Sequence, residues 1–504
     1  LKNLVIISTL LWLLNYKEFI DIFAQNESFF TALYEIFSYY IIILFSSSLF
    51  SFNKVTNILF LNLLLVLSLI SVYFINTMGI YVDGDMLNNV FSTNSSEAFE
   101  LLDIYFYIYI LISALVVYFL NIKLIINSHL RLKEYSIFMF SLLIVAFIVY
   151  KSNREVLDRF INVDTPKIVP TFIFPAISDY YILKSKEEKI NKKNISSEYT
   201  LTNDSNDSII LFILGESTRG DRFALNGYVK NTTPKLSQEK NLVSINNVSS
   251  CDTSTLNSIP CLMTRVTHDN YNGDIKESSF VQIYKDFGYK TYWISRNSDQ
   301  KRVDTFCQEA DTCRYNYNLN YDDELLPDFQ KIIDQKHKAL VVLHVLGSHI
   351  DYDKRVPEED RIFKPLCSGN PVNCDAESLN NSYDNTIYYT DIFIAKIIEM
   401  LKDKDACIVF TSDHGESLGE SSMGLISRYG HSTPYAVAPK EQTDVPLILW
   451  FSDKYLKKNK KINLKNMKNL KNISHDNIFD TLLGCGGISK RKRDNVENLN
   501  ICDK

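Results

Sequence analysis

The residues Thr411-Ser412-Asp413-His414-Gly415-Glu416-Ser417 follow Ala406-Cys407-Ile408-Val409-Phe410, a short apolar run with the character of a buried strand. A carboxylate and an imidazole thus emerge together at a strand end, where open α/β sheets gather their ligands. A second run, 208–214, ends in Gly215-Glu216-Ser217. Two acidic strand ends and one His make a donor set for a divalent metal. A metal used for group transfer needs a nucleophile. The hydroxyl-rich segment Ser249-Ser250-Cys251-Asp252-Thr253-Ser254-Thr255 supplies candidates, bracketed by Cys251 and Cys261. A free Thr hydroxyl is a weak nucleophile at neutral pH, and a bound divalent cation lets it lose its proton more readily. A helix starting at the same place would favour an anionic phosphate group.

Strand-like runs at 209–214, 290–294, 339–345, 407–410 and 446–451 alternate with helical ones at 382–400 and 475–483. That alternation predicts an α/β domain over 209–504. The first 151 residues read differently. Apolar stretches at 4–14, 29–50, 55–76, 104–126 and 136–150 predict five transmembrane helices, the first and last completed by flanking residues. Lys2, Lys54, Lys123, Arg131 and Lys133 fall on one side, which the positive-inside rule makes cytoplasmic. Five crossings then place everything after Tyr150 outside. Residues 152–208 read as a linker with helices lying along the membrane surface.

No cysteine occurs before Cys251. Cys251/Cys261, Cys307/Cys313 and Cys367/Cys374 are close pairs that can each form a disulfide in an oxidising compartment. Cys407 reads as a buried free thiol, and spacing does not decide whether Cys485 and Cys502 pair. The net charge of −6 excludes an electrostatic case for nucleic acid. One segment, 454–471, runs against that average with eight Lys, as a solvated surface or a contact with anionic headgroups.

The chain resembles the phosphoethanolamine transferases of Gram-negative envelopes, the lipid A modifying enzymes that include the mobile colistin-resistance proteins. These belong to the alkaline phosphatase-like superfamily. The resemblance is carried by Gly215-Glu216-Ser217-Thr218-Arg219, by Cys251-Asp252-Thr253-Ser254-Thr255, by the Ser412 to Glu420 run and by Ala438-Pro439-Lys440-Glu441-Gln442. Sulfatases share the arrangement but make formylglycine from a Cys or Ser followed by x-Pro-x-Arg, which the segment after Cys251 lacks.

The resemblance implies an N-terminal membrane domain plus an α/β alkaline phosphatase-like periplasmic domain, anchored in the bacterial inner membrane. It implies a zinc ion (Zn2+) held by Glu216, Thr255, Asp413 and His414, with Thr255 rather than Thr253 as nucleophile. Asn297 and Lys301 match phosphate contacts, and His349 and His431 match substrate-side histidines. A bridging helix near 84–100 would present Asn89, Thr93 and Glu97, four residues apart and so on one face, to a lipid headgroup. The implied partners are phosphatidylethanolamine as donor and lipid A or another envelope acceptor, with the enzyme a monomer. Phosphoglycerol transfer, as in lipoteichoic acid synthases, and a membrane-tethered phosphodiesterase are the alternatives. The former lack the motif at 438–442 and the paired cysteines. Two features depart from the family pattern: a longer loop at 421–430 that leads to His431-Ser432 in place of His-Gly, and Asp252 where Gly is frequent.

Overall fold

The structure, a computed structural model, describes residues 1–25, 28–80, 82, 84–92, 102, 104–152, 154, 168–188, 190–202, 206–297, 300–420, 427–491 and 499–503. The chain forms two compact units, one built on Leu1–Lys184 and the other on Ser185–Ser422 with Tyr429–Lys504.

The first unit is helical: α1 (Lys2–Leu13), α2 (Tyr16–Gln25), α3 (Phe29–Ser48), α4 (Lys54–Met78), α5 (Gly84–Ser92), α6 (Ile104–Lys123), α7 (Leu132–Ser152) and α8 (Ile173–Glu188). The expectation of five spans needs correction. Among the described residues four helices are long and apolar enough to cross a membrane: Phe29–Ser48, Lys54–Met78, Ile104–Asn127 and Leu132–Ser152. The last gains its length from flanking residues, as the sequence suggested. α1 has only 12 residues. At 1.5 Å per residue it is about 18 Å long, short of a hydrocarbon core of about 30 Å. Several buried polar side chains inside the bundle pair with one another, the arrangement that a bilayer interior without water favours. The Asn62 and Asn121 amides exchange hydrogen bonds of 2.8 and 2.6 Å, and the Asn57 amide donates to Ser128 at 2.7 Å. Of the expected bridging helix, α5 carries Asn89, while Thr93 and Glu97 lie outside the described residues.

The second unit is built on a seven-stranded sheet. Its strands are β1 (Ile209–Gly215), β2 (Leu242–Ser249), β3 (Lys290–Ser295), β4 (Thr312–Tyr315), β5 (Ala339–His344), β6 (Ala406–Ser412) and β7 (Asp444–Phe451). They lie in the order β2-β7-β6-β1-β5-β3-β4. β1, β3, β4, β5 and β6 are parallel, and β7 runs antiparallel to both β6 and β2. Every residue of β1, β5 and β6 is buried, the pattern of a parallel sheet covered on both faces. Ile210, Phe212 and Leu214 face one hydrophobic core together with helix α9 (Thr255–Met263) and helix α12 (Ile478–Cys485). Ile209, Leu211 and Ile213 face the other, covered by helix α11 (Ala376–Leu401). Helix α10 (Lys301–Cys307) follows β3.

The register places chemistry at one sheet end. Gly215 pairs with Ser412 and Leu214 with His344. Glu216 and Asp413 therefore leave neighbouring parallel strands side by side.

The three expected disulfides are present: Cys251–Cys261, Cys307–Cys313 and Cys367–Cys374. They do different jobs. Cys307–Cys313 ties the end of α10 to β4. Cys367–Cys374 closes the loop that leads into α11. Cys374 stands immediately before the Asp375 cap of that helix, and Cys367 N–H donates to Ser382 Oγ at 2.7 Å, one turn and more along it. Cys374 is half-buried against the core that α11 covers, whereas Cys367 is fully inside it.

Candidate active site

Glu216, Thr255, Asp413 and His414 meet at the carboxyl ends of β1 and β6. His414 Nε2 lies 3.3 Å from Glu216 Oε1, 3.3 Å from Asp413 Oδ2 and 3.2 Å from Thr255 Oγ1. Thr255 Oγ1 is 3.3 Å from Glu216 Oε2. Thr255 opens α9, so its hydroxyl stands at the positive end of a helix.

Each side chain is aimed by its own neighbours. Asp413 Oδ1 accepts the backbone N–H of His414 at 2.7 Å and of Ser217 at 3.2 Å. This leaves Asp413 Oδ2 buried with no hydrogen-bond partner. His414 Nδ1–H donates to Gly415 O at 2.9 Å, which turns the Nε2 lone pair toward the carboxylates. Glu216 Oε1 accepts Ser217 Oγ–H at 3.0 Å, and Oε2 accepts the Asn297 amide at 2.9 Å. A lone pair and two carboxylates converging in a buried space repel one another unless a positive charge sits among them. The protonation balance says the same. Burial and then Glu216 push the Asp413 carboxyl up to about 7. Burial opposes charge on His414, yet Asp413 and Glu216 hold its imidazole up at about 10. Oxygen and imidazole donors of this kind, with an orphaned buried carboxylate oxygen, fit a zinc ion.

Two close approaches require glycine. A Cβ on Gly415 would meet Glu441 O at 2.1 Å. One on Gly347, whose φ is +52°, would meet Glu216 O at 2.7 Å. The first contact lets Gly415 N–H reach Gln442 O at 2.9 Å, so the 438–442 motif supports the strand end. The Gln442 amide also donates to Ser417 Oγ at 3.0 Å and Gly430 O at 3.1 Å, tying the His414 segment to the loop before His431.

The loop that leads into Thr255 is fixed separately. Asp252 Oδ1 accepts the N–H groups of Thr253 at 2.8 Å and Ser254 at 3.1 Å. The acid that departs from the family pattern therefore shapes the turn before α9. Thr253 Oγ1 donates to Thr433 O at 2.5 Å and is occupied there. The disulfide Cys251–Cys261 closes the loop behind it. Of the six paired cysteines, only these two belong to the site. The described contacts join none of Cys307, Cys313, Cys367 and Cys374 to the four central residues, so those two bonds are scaffold.

The other expected residues divide. His431 joins the cluster: its ring lies 4.2 Å from that of His414, centroid to centroid, and its Nδ1–H donates to Glu416 Oε2 at 2.8 Å. The other Glu416 oxygen accepts Tyr352 O–H at 3.0 Å. The short ladder between Ser417–Leu418 and Tyr429–Gly430 makes this meeting possible, and residues 421–426 lie outside the described ones. His349 lies beyond His431, their ring centroids 6.1 Å apart. Asn297 is engaged with Glu216. Lys301 is exposed at the first residue of α10, and the described contacts do not join it to the four central residues.

Glu416 and Gln442 stood in motifs without an assigned role, and Tyr352 in none, because their partners lie 12 to 64 residues away. His475, read from sequence as structural, clamps the centre from behind. Its Nδ1 accepts Cys251 N–H at 3.1 Å, and its Nε2–H donates to Ser412 O at 2.9 Å. One imidazole thus joins the loop before Thr255 to the end of β6.

Burial holds the His475 imidazole down at about 3. The unfolded chain takes up this proton near pH 6.5, but the folded chain does not until about pH 3. The group's contribution to stability is therefore full above about pH 6.5 and falls as pH drops toward 3. Melting temperatures measured from pH 7 to 4 should decline, and the decline should be shallower in His475→Gln. Parallel slopes would remove His475 from the acid response.

With this geometry in place, comparisons give the lineage. A family model described as Sulfatase matches residues 208–488, and one described as Phosphoethanolamine transferase EptA/EptB matches residues 37–180. The structure is similar to the integral membrane lipooligosaccharide phosphoethanolamine transferase A of Neisseria meningitidis, at 26% identity and TM-score 0.81, covering 100% of this chain and 98% of that one. It is also similar to the C-terminal periplasmic domain of phosphoethanolamine transferase EptC from Campylobacter jejuni, at 33% identity and TM-score 0.53, covering 60% of this chain and 94% of that one. The Kdo(2)-lipid A phosphoethanolamine 7''-transferase of Escherichia coli K12 is 33% identical over 324 residues, 60% of this chain and 56% of that relative. The match thus spans little more than half of that curated protein. By these matches, which include a solved domain 33% identical and covered to 94%, the chain belongs to the phosphoethanolamine transferase family.

Proposed function

We propose that the protein is a zinc-dependent enzyme that transfers phosphoethanolamine from phosphatidylethanolamine to lipid A or another envelope acceptor. The observation that carries this reading is Thr255 Oγ1 at the start of α9, 3.2 Å from His414 Nε2 and 3.3 Å from Glu216 Oε2. The relatives' names supply the transferred group and, for one of them, lipid A.

Glu216, Thr255, Asp413 and His414 would hold the zinc, which when bound lowers the pKa of the threonine hydroxyl and offsets charge on phosphoryl oxygens. Thr255 Oγ attacks the donor phosphorus. The bond from phosphorus to the diacylglycerol oxygen breaks as the threonine phosphoester forms, and diacylglycerol leaves with a proton. An acceptor oxygen then attacks the same phosphorus and frees Thr255. The α9 N-terminus favours the anionic phosphate throughout. His431, held by Glu416 with its ring 4.2 Å from that of His414, is assigned to take or return a proton. Lys301 is assigned to offset phosphoryl charge once substrate is bound.

The soluble unit is assigned to the periplasm and the helical unit to the inner membrane. Counting crossings no longer supports this, since the fifth span is not among the qualifying helices. The three disulfides do, because such pairs persist in oxidising compartments.

The acceptor is expected to be a lipid A phosphate. Adding phosphoethanolamine there introduces an ammonium group, so expressing cells should bind cationic peptides less well. Mass spectra of lipid A from expressing and non-expressing cells should differ by one phosphoethanolamine. A gain on another envelope component, with none on lipid A, would replace the acceptor.

A further inference from the structure

Three cysteines remain outside the disulfides, and all are buried: Cys407, Cys485 and Cys502. The mechanism uses none of them. Sequence alone leaves Cys407 as a lone thiol in a central strand. In the fold, Cys407 Sγ lies 3.0 Å from Cys485 Sγ, although 78 residues separate them. A disulfide has its sulfurs about 2.0 Å apart, so about 1 Å of approach would bond them.

We infer that Cys407 and Cys485 form a fourth disulfide in the mature protein. Both sit on regular elements held by one core, Cys407 near the start of β6 and Cys485 at the last residue of α12. The Cys502 thiol also touches Cys485, but it sits on the short turn Ile501–Asp503, which docks on α12 through Ile501 N–H to Thr481 Oγ1 at 3.0 Å, rather than on a core strand. The two thiols give up two protons and two electrons, and a disulfide of a thiol-oxidising partner protein is reduced to two thiols in exchange.

The position links the bond to the active site. β6 ends at Ser412, one residue before Asp413, and α12 follows directly on His475 to Asn477. At that end His475 Nε2–H holds Ser412 O. At the opposite end the Cys407–Cys485 bond would join the same two elements. The strand that delivers two metal-ligand candidates is then pinned at both ends to the helix behind it.

The inference rests on the proposed periplasmic location of the soluble unit. It is tested by blocking thiols in full-length protein purified from membranes without reductant, followed by digestion and peptide mapping. The expected map has Cys407 linked to Cys485, Cys502 blocked as a free thiol, and the three other pairs linked. In Cys407→Ala that linked peptide should be lost. A map with the three other pairs intact but Cys407 and Cys485 both blocked overturns the inference alone. So does Cys485 linked to Cys502. A map with all nine cysteines blocked overturns the location as well.

Discussion

Thr255→Ala should lower transfer by roughly 10³-fold or more, the scale of removing an enzyme's nucleophile, while the fold and its disulfides survive. Thr255 is half-buried and begins a helix, a place where Ala is well tolerated. The substitution removes the hydroxyl that lies between Glu216 and His414 and touches no part of either hydrophobic core. Thr253 cannot take over in place, because its hydroxyl is committed to the Thr433 carbonyl. The measurement is turnover of labelled phosphatidylethanolamine, with circular dichroism and non-reducing peptide maps as controls. Near-normal turnover by a well-folded Ala variant would remove Thr255 from the chemistry.

Removing the metal should have a comparable effect. A chelator should stop turnover, and stoichiometric zinc should restore it. Asp413→Asn should weaken zinc binding by at least about 100-fold, the upper scale seen even for residues one step removed from a metal. The reason is specific to this side chain. Oδ1 is already committed to two backbone N–H groups, so the unpartnered Oδ2 is the atom left to meet a cation. Asn keeps the size and the one accepting oxygen but replaces the charged one or breaks the turn. Metal analysis of purified protein and a competition titration with a chelator are the checks. Protein that holds no divalent metal and is indifferent to chelation would contradict the assignment.

Much of this was legible in the sequence because the chemistry sits at strand ends. The apolar runs of β1 and β6 announce themselves, and Glu216, Asp413 and His414 follow them directly. Three close cysteine pairs translated into three disulfides for the same local reason. Their places in the fold were not legible: spacing treats Cys367 and Cys374 like Cys251 and Cys261, yet only the latter pair backs the loop that leads into Thr255. Edge strands were harder to find. β2 carries Asn246 and Asn247 on a half-exposed sheet edge, and β4 has only four partly exposed residues, so neither shows a clean apolar pattern. The start of α11 is set by the Asp375 cap, which accepts Glu377 and Ser378 N–H, and by Leu379, which is buried in the core one turn in, so the helix starts at Ala376 and not near 382. Long-range partners were invisible in principle. Nothing near Glu416 in sequence tells that it holds His431 and Tyr352, and nothing near Cys407 tells that Cys485 faces it. The count of spans failed at α1, where apolar composition was evident but length was not sufficient.

The most direct test of the covalent transfer is mass spectrometry of the Thr255 peptide after full-length enzyme is mixed with phosphatidylethanolamine and no acceptor, then quenched in acid. A phosphoethanolamine adduct on Thr255, absent in Thr255→Ala and lost when acceptor is added, is the predicted result. Turnover of the donor with an unmodified Thr255 at every time point would contradict it, and a phosphoglycerol adduct formed from phosphatidylglycerol instead would contradict the choice of donor.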